Sequence, residues 1–293
     1  MLNKLSLRWL LSAGLIAALF YIGLSVYLFF QQTRFIFFPS PVIQTTPEFF
    51  NLRYQEVWLP VTTTTKQVER IHGWWIPATQ SNGKVLLYLH GNGINIGANV
   101  AHAHRFHQMG FSVLLIDYRG YGRSEGAFPS EVSVYQDAAV AWDYLVNQRQ
   151  IDPSQIFIYG HSLGGAIAIN LALQQPNAAG LIVESSFTSI RAMIDFQRAY
   201  RIFPVDLILR QRFDSISRVN ALQIPVLFIH GTADWQVPAQ MSEQLYAATP
   251  EPKQLVLIPG AGHNNVAEVA GSKYFQVVQN FVRQVSTQQV AEY

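Results

Sequence analysis

Two rhythms of apolar and polar residues divide this chain of 293 residues. From Trp9 to Phe30 apolar side chains follow one another, and no charged residue lies between Arg8 and Arg34. At 1.5 Å rise per residue, about 20 such residues span the hydrocarbon of a bilayer. A buried core helix or a cleaved signal peptide would share part of this pattern. The run is longer than the usual signal h-region, however, and no clear A-x-A site ends it. The expectation is a signal anchor over residues 1–34, followed by a linker over 35–53. That linker opens with Phe35 to Phe38 and the Pro39/Pro41 pair, an interfacial exit into extended chain. Lys4 and Arg8 precede the span and Arg34 follows it. This small bias favours a cytoplasmic N-terminus and an extracytoplasmic domain beyond the membrane.

The second rhythm begins at Tyr54 and continues to the C-terminus, so residues 54–293 read as one domain. Tyr54 to Pro60 alternates as a half-buried strand does, and Ile71 to Pro77 reads as the next strand. With no helix between them, these two suggest an antiparallel start. Val85 to Leu89 and Phe111 to Ile116 are continuous apolar runs, the pattern of strands covered on both faces. A helical stretch from about Gly97 to Met109 separates them. Ser130 to Asn147 reads as a helix with Ser130 as its N-cap. Further strands are predicted at Ile156–Tyr159, Gly180–Val183, Ile224–Ile229 and Gln254–Ile258. Helices are predicted from Ala166 to Gln175, Ala239 to Ala248 and Ser272 to Val285. Strands alternating with helices predict an α/β architecture with a mostly parallel, doubly covered sheet. The alternation pauses at residues 188–222, rich in Arg and aromatic residues, which predicts a small helical cap inserted between two core strands.

Chemistry enters at Ile156-Phe-Ile-Tyr-Gly-His-Ser-Leu-Gly-Gly165. An apolar strand stops at a glycine, a serine sits at the apex, and a helical pattern follows. The G-x-S-x-G spacing in that context is a nucleophile elbow. Glycine removes the clash of a sharp strand-to-helix turn. The serine then lies near a helix N-terminus, where positive partial charge stabilises a developing anion. A serine hydroxyl needs a base, and the base needs an orienting acid. Asp234 follows the strand Ile224–Ile229 and His263 follows Gln254–Ile258, each on a Gly-rich loop at the carboxyl end of its strand. Ser162, Asp234 and His263 are the candidate catalytic residues. Glu184, at the end of an earlier strand, is a rival acid. The candidate oxyanion donors are the backbone N–H groups of Leu163 and of Asn92, in His90-Gly91-Asn92-Gly93. His90 reads as a loop-fixing residue, and Arg119 and Glu125 as pins between neighbouring loops. The cap aromatics Phe196, Tyr200 and Phe203 either line an acyl pocket or pack the cap on the core.

Other readings lose ground residue by residue. Gly91-x-Gly93-x-x-x-Gly97, with Asp117 after the next strand, imitates a dinucleotide site, but the spacing is one residue too long and two strands precede it. His102, His104 and His107 share a helix but lack a carboxylate at ligand spacing. The chain has no cysteine, so it has no disulfide, thiolate metal site or cysteine nucleophile. Net charge is +2 and nothing points to nucleic acid. No Asn-x-Ser/Thr sequon occurs. The expected reaction needs neither cofactor nor metal. The expected partners are a small-molecule or lipid acyl substrate and a membrane reached through the N-terminal helix.

With these motifs in view, the chain from about Val57 to Val285 resembles the membrane-anchored α/β-hydrolase-domain proteins related to the yeast bud-emergence homologue. The markers are Tyr88-Leu-His-Gly-Asn-Gly93, Asp117-Tyr-Arg-Gly-Tyr-Gly-Arg-Ser-Glu-Gly126, Gly160-His-Ser-Leu-Gly-Gly165, Val183-Glu-Ser-Ser-Phe187, Pro225-Val-Leu-Phe-Ile-His-Gly231 and Gly262-His-Asn264. The resemblance implies an α/β-hydrolase fold, a triad of the residues matching Ser162, Asp234 and His263, and action on esters or thioesters of fatty acids. One departure is Asn92-Gly-Ile, where relatives often carry Asn-Ala-Gly or Asn-Gly-Gly. A peptidase or amidase on the same triad, or a non-catalytic binding module, are the other functions this sequence allows.

Overall fold

Side chains that alternate along each central strand enter two different cores. Leu87 and Leu89 belong to one apolar cluster with Leu114, Ile158, Leu181 and Phe228. Leu86 and Tyr88 belong to a second, with Val113, Phe157, Ile182 and Leu227. Both faces of the sheet are therefore dry, which explains the unbroken apolar runs in the sequence.

The computed structural model describes residues 4–63 and 65–291. Thr64, in the predicted polar connection, and the outermost residues of the predicted anchor and hydrolase domain lie outside the described residues. In chain order the elements are α1 (Lys4–Gln31), α2 (Thr33–Ile36), β1 (Phe38–Pro39), β2 (Gln55–Thr62), β3 (Val68–Ile76), β4 (Val85–Leu89), β5 (Gly93–Ile94), α3 (Val100–Gln108), β6 (Ser112–Ile116), α4 (Glu131–Asp143), β7 (Ile156–His161), α5 (Leu163–Gln174), β8 (Gly180–Glu184), α6 (Ile190–Gln197), α7 (Val205–Ile208), β9 (Val226–Gly231), α8 (Gln240–Ala248), β10 (Lys253–Ile258), α9 (Val266–Ala270) and α10 (Ser272–Ala291). Eight strands form the main sheet in the order β10-β9-β8-β7-β4-β6-β3-β2. All neighbours pair parallel except β3, which runs antiparallel to both β2 and β6. This is the α/β-hydrolase fold with the antiparallel start that the paired leading strands predict. Helices α4, α5 and α8 cover one face, and α3 and α10 cover the other.

Local sequence explains several boundaries. On β2, Val57, Leu59 and Val61 point inward while Glu56, Trp58 and Pro60 remain outside. Ser130 caps α4 through a reciprocal pair of bonds with Ser133, where a capping box more often uses Glu or Gln. The helical stretch predicted from Gly97 begins instead as a 3-10 turn over Ile96–Asn99, with the Asn95 side chain accepting from the Gly97 N–H. The last predicted helix is preceded by the short α9, and Gly271 at φ +54 separates the two.

Helix α1 is long and apolar enough, from Arg8 to Gln31, to cross a membrane. The segment after it departs from expectation. The sequence pattern predicts an extended linker over residues 35–53, yet Ile36, Phe37 and Leu52 pack into the domain. Phe37 is only 1% exposed and joins the core beside Phe213. Strand β1 pairs parallel with β5, in the loop after β4. The apolar character of Phe35 to Phe38 suits an interface and a core equally well, so sequence pattern does not separate the two.

Candidate active site

Strand β7 delivers Ser162 to the carboxyl edge of the sheet. The turn is tight enough that a Cβ on Gly160 would overlap the Gly164 carbonyl, and one on Gly164 would overlap the Leu89 carbonyl. Ser162 itself takes φ 54 and ψ −120, a conformation that L residues rarely adopt. Its surroundings hold it there. The Ser162 N–H donates to the Glu184 carbonyl at 2.9 Å. The Gly165 N–H and the Ser186 hydroxyl both donate to the Ser162 carbonyl at 2.9 Å. Serine at a helix start usually accepts a bond from the helix's own N–H groups. Here the positive φ turns the hydroxyl away, and it makes no capping bond.

The hydroxyl meets His263 instead. Ser162 Oγ lies 2.9 Å from His263 Nε2, and His263 Nδ1 lies 2.6 Å from Asp234 Oδ2. The three candidate residues from three separate loops thus form one hydrogen-bonded series. Asp234 is fixed from its other side: its Oδ1 accepts the N–H groups of Gln236 and Val237, each at 2.9 Å. Burial pushes the Asp234 carboxyl up, but hydrogen bonds from His230, His263 and Val237 outweigh it and hold the group well below the usual carboxylate range.

The rival acid is engaged elsewhere. The Glu184 carboxylate accepts from the hydroxyls of Tyr159 at 3.1 Å and Tyr274 at 2.7 Å, with no bond to His263 among the described residues. Burial raises its pKa. Glu184 supports the elbow through its carbonyl, not its side chain.

Two histidines given no role by the sequence motifs complete the setting. His230 Nε2 sits 2.9 Å from the Val237 carbonyl and 3.2 Å from Asp234 Oδ2, while its Nδ1 is 2.7 Å from the Ser242 hydroxyl. A carbonyl only accepts, so Nε2 carries the hydrogen. His230 therefore braces Asp234 from behind. His161 Nε2 donates to the His263 carbonyl at 3.0 Å and fixes the loop that carries the imidazole. Only the position of each histidine at a strand's carboxyl end signals these roles in the sequence.

Both candidate oxyanion residues line the same cavity as Ser162 and His263. Leu163 is the first residue of α5, where N–H groups lack intrahelical partners. Asn92 spends its side chain on the Ile36 carbonyl at 2.8 Å, and its own carbonyl accepts from Phe38 N–H at 2.9 Å and Tyr121 hydroxyl at 2.7 Å. Its backbone N–H has no hydrogen-bond partner among the described residues. His90 donates through Nδ1 to the Gly91 carbonyl at 2.7 Å and lies 3.4 Å from Asp117, a loop-fixing position. Arg119 binds Asp137 at 2.6 Å and Glu125 pairs with Arg70, so both act as pins. The helix histidines diverge. His102 lies 5.9 Å from the His161 ring, His104 stacks on Phe50, and His107 meets the Pro77 carbonyl.

The cavity measures about 610 Å³ and is mostly apolar. The cap supplies Met193, Ile194, Phe196 and Tyr200. Phe203, grouped with the last two by sequence, instead stacks on Tyr21 of α1 at 5.6 Å. Leu28, Gln32 and Phe35 from α1 and α2 close another side, a contribution no sequence signal announces.

Two histidines held neutral around the site, His161 buried and His102 half-buried, give it a pH-dependent stability. Burial, then the neighbouring His263 and His102, push His161 down to about 3. Burial and Arg105 lower His102 to about 4. Both folded values lie below the unfolded value near 6.5, so the unfolded chain takes up protons first. Their contribution is complete above pH 6.5 and is lost as pH falls toward 4 and then 3. At pH 5 each costs about 2 kcal/mol of stability relative to pH 7. In detergent solution, His102→Gln should shrink the difference in urea-unfolding free energy between pH 7 and pH 5 by about that amount. An unchanged difference would show that His102 is not held neutral.

The comparisons with known proteins agree with this architecture. The Hydrolase_4 family, described as Serine aminopeptidase, S33, matches residues 80–215 and 208–270. An uncharacterized protein of Mycobacterium tuberculosis, Rv2307c, is 36% identical over 274 residues, covering 92% of this chain and 94% of that protein. Protein bem46 of Schizosaccharomyces pombe is 32% identical over 250 residues, with 81% of this chain and 79% of that protein covered. The solved Pyrococcus furiosus esterase PF2001 shares the fold with a TM-score of 0.69 at 19% identity, over 85% of this chain and 98% of that one. With the profile spanning residues 80–270 and relatives above 30% identity over 81% and 92% of this chain, it belongs to the Hydrolase_4 family of α/β-hydrolases.

Proposed function

We propose that this hydrolase is a serine esterase or thioesterase acting on an acyl group, with Ser162, His263 and Asp234 as its catalytic residues. The observation that carries this reading is the unbroken Ser162–His263–Asp234 series at the floor of an apolar cavity. Ser162 Oγ attacks the acyl carbonyl while His263 Nε2 takes its proton. The tetrahedral oxyanion rests on the N–H groups of Leu163 and Asn92. Collapse expels the alcohol or thiol, which receives the proton from His263. Water, deprotonated by His263, then cleaves the acyl-enzyme, and Ser162 recovers its proton. Asp234, kept ionised by its donors, orients His263 and stabilises the imidazolium. None of these steps calls for a cofactor.

The competing reading is an aminopeptidase, after the family's description. Such an enzyme must hold a substrate ammonium group, and a carboxylate is the usual partner. Among the described residues that line the cavity, none is Asp or Glu. An uncharged apolar wall suits an acyl chain better. We also take α1 as a single-pass anchor with its N-terminus in the cytoplasm and the hydrolase domain outside.

One labelling experiment tests these points together. A fluorophosphonate reacts only with an activated serine. A membrane-impermeant fluorophosphonate applied to intact cells should label Ser162, and Ser162→Ala should abolish the label. Labelling by a permeant probe alone would reverse the orientation. No labelling by either, on folded protein, would leave a binding module in place of an enzyme. On the purified protein, a panel of p-nitrophenyl esters run beside aminoacyl anilides should be turned over while the anilides are not.

A further inference from the structure

The cap is fastened to the candidate membrane helix, and its tip is apolar where it has no protein to cover it. The Tyr21 hydroxyl donates to the Ile202 carbonyl at 2.7 Å, and its ring stacks on Phe203. Gln32 accepts the N–H groups of Arg210 and Gln211 at 2.7 and 2.9 Å, and its amide donates to the Phe29 and Ile208 carbonyls. The Arg210 guanidinium lies over the Phe29 ring at 4.7 Å. Beside this junction Ile202 is 73% exposed and Leu207 is 82% exposed, although neither lines the cavity.

Depth follows from helix geometry. About 20 residues counted from Arg8 bring the hydrocarbon boundary near Leu28, and Tyr21 then lies about 10 Å below it. Ile202, whose carbonyl accepts the Tyr21 hydroxyl, is thereby held below the headgroups, in the outer part of the acyl-chain layer. Leu28, at the boundary, is itself a wall of the catalytic cavity. Charge points the same way. Residues 188–222 carry six arginines against three aspartates. Exposed Arg198 and Arg201 flank the apolar tip; Arg201 is held by the Asp195 carbonyl at 2.7 Å, while Arg198 is placed to reach lipid phosphates as the side chains beside it sink.

We propose that the cap docks on the bilayer, with Ile202 and Leu207 immersed beside α1, so that the cavity between α1 and the cap takes its acyl chain sideways from the membrane. The occupant of this surface is a phospholipid leaflet. The substrate class that follows is a membrane-resident acyl ester or thioester, and that part rests on the proposed function. Water-soluble substrates would reach Ser162 by the aqueous side.

The absence of cysteine allows a clean test on the full chain. Ile202→Cys, Leu207→Cys and Asn177→Cys are each labelled with a nitroxide in phosphatidylglycerol-containing vesicles. Asn177 is exposed just before β8, at the sheet end opposite the site. Labels at 202 and 207 should collide with oxygen and be shielded from a nickel chelate, and the label at 177 should show the reverse. Nickel access at 202 and 207 equal to that at 177 overturns the docking. The second arm compares the double variant Ile202→Asp/Leu207→Asp with the unaltered protein. Hydrolysis of a long-chain acyl ester in vesicles should fall by about tenfold or more, with a short soluble ester turned over as before. Equal loss on both substrates, or no loss on either, overturns sideways entry. The nitroxide arm does not depend on turnover. Immersed labels on a protein that cleaves no ester would sink the esterase reading and leave the docking standing.

Discussion

Replacing Ser162 with alanine should lower kcat by on the order of 10⁵-fold or more, with little change in KM. The hydroxyl is the group in the hydrogen-bonded series with a base beside it to take its proton, and no other serine hydroxyl is bonded to His263 among the described residues. A second substitution separates chemistry from folding. Ser162 occupies φ 54, where a side chain is strained and glycine is not. Ser162→Gly should therefore be equally inactive yet more stable, by about 1 kcal/mol. Turnover is measured on the best ester of the panel, and stability by denaturant unfolding. A Ser162→Ala protein retaining more than a tenth of normal turnover would remove Ser162 as the nucleophile.

Asp234→Asn should cut kcat roughly 10⁴-fold, because it changes which imidazole nitrogen carries the proton. The carboxylate accepts a hydrogen from His263 Nδ1, leaving Nε2 free to accept from Ser162. An amide pinned by the Gln236 and Val237 N–H groups at its oxygen presents its NH₂ to His263. Nδ1 must then accept, Nε2 carries the hydrogen, and the base faces Ser162 already protonated. The same substitution leaves the His230 N–H facing a donor, so some loss of stability accompanies it. Glu184→Gln is the control. Its carboxyl answers Tyr159 and Tyr274 on the far side of the strand, so activity should change less than tenfold. If Glu184→Gln caused the larger loss, the orienting acid would be reassigned.

The parts of this protein that were legible in advance are those governed by local or periodic rules. A sheet covered on both sides demands continuous apolar strands, and Val85–Leu89 lies where its run places it. The elbow is legible because a turn this tight tolerates little but glycine around the serine. Asp234 and His263 are legible from their order and from the Gly-rich loops they follow. What escaped depends on contacts across long stretches of chain. Gln32 looks like an ordinary polar residue at the end of an apolar run, yet it bonds to the cap some 180 residues away. His230 looks like a strand residue until the fold folds Asp234 back against it. Phe37 reads as interfacial because burial in lipid and burial in protein select the same side chain. The cap aromatics divide for the same reason: only the position of α1 decides that Tyr200 faces the cavity while Phe203 faces Tyr21.

The pairing of β1 with β5 has a consequence for anyone who cuts or splices this chain. The first residues past the apolar helix are clasped by Asn92, which holds the Ile36 carbonyl with its side chain and the Phe38 N–H with its own carbonyl. A foreign leader grafted at residue 40, or a soluble fragment begun there, discards the strut that keeps the Asn92 loop in shape. The usable splice point lies upstream of Tyr21, whose hydroxyl and ring also hold the cap, and the leader and the hydrolase domain are not interchangeable modules.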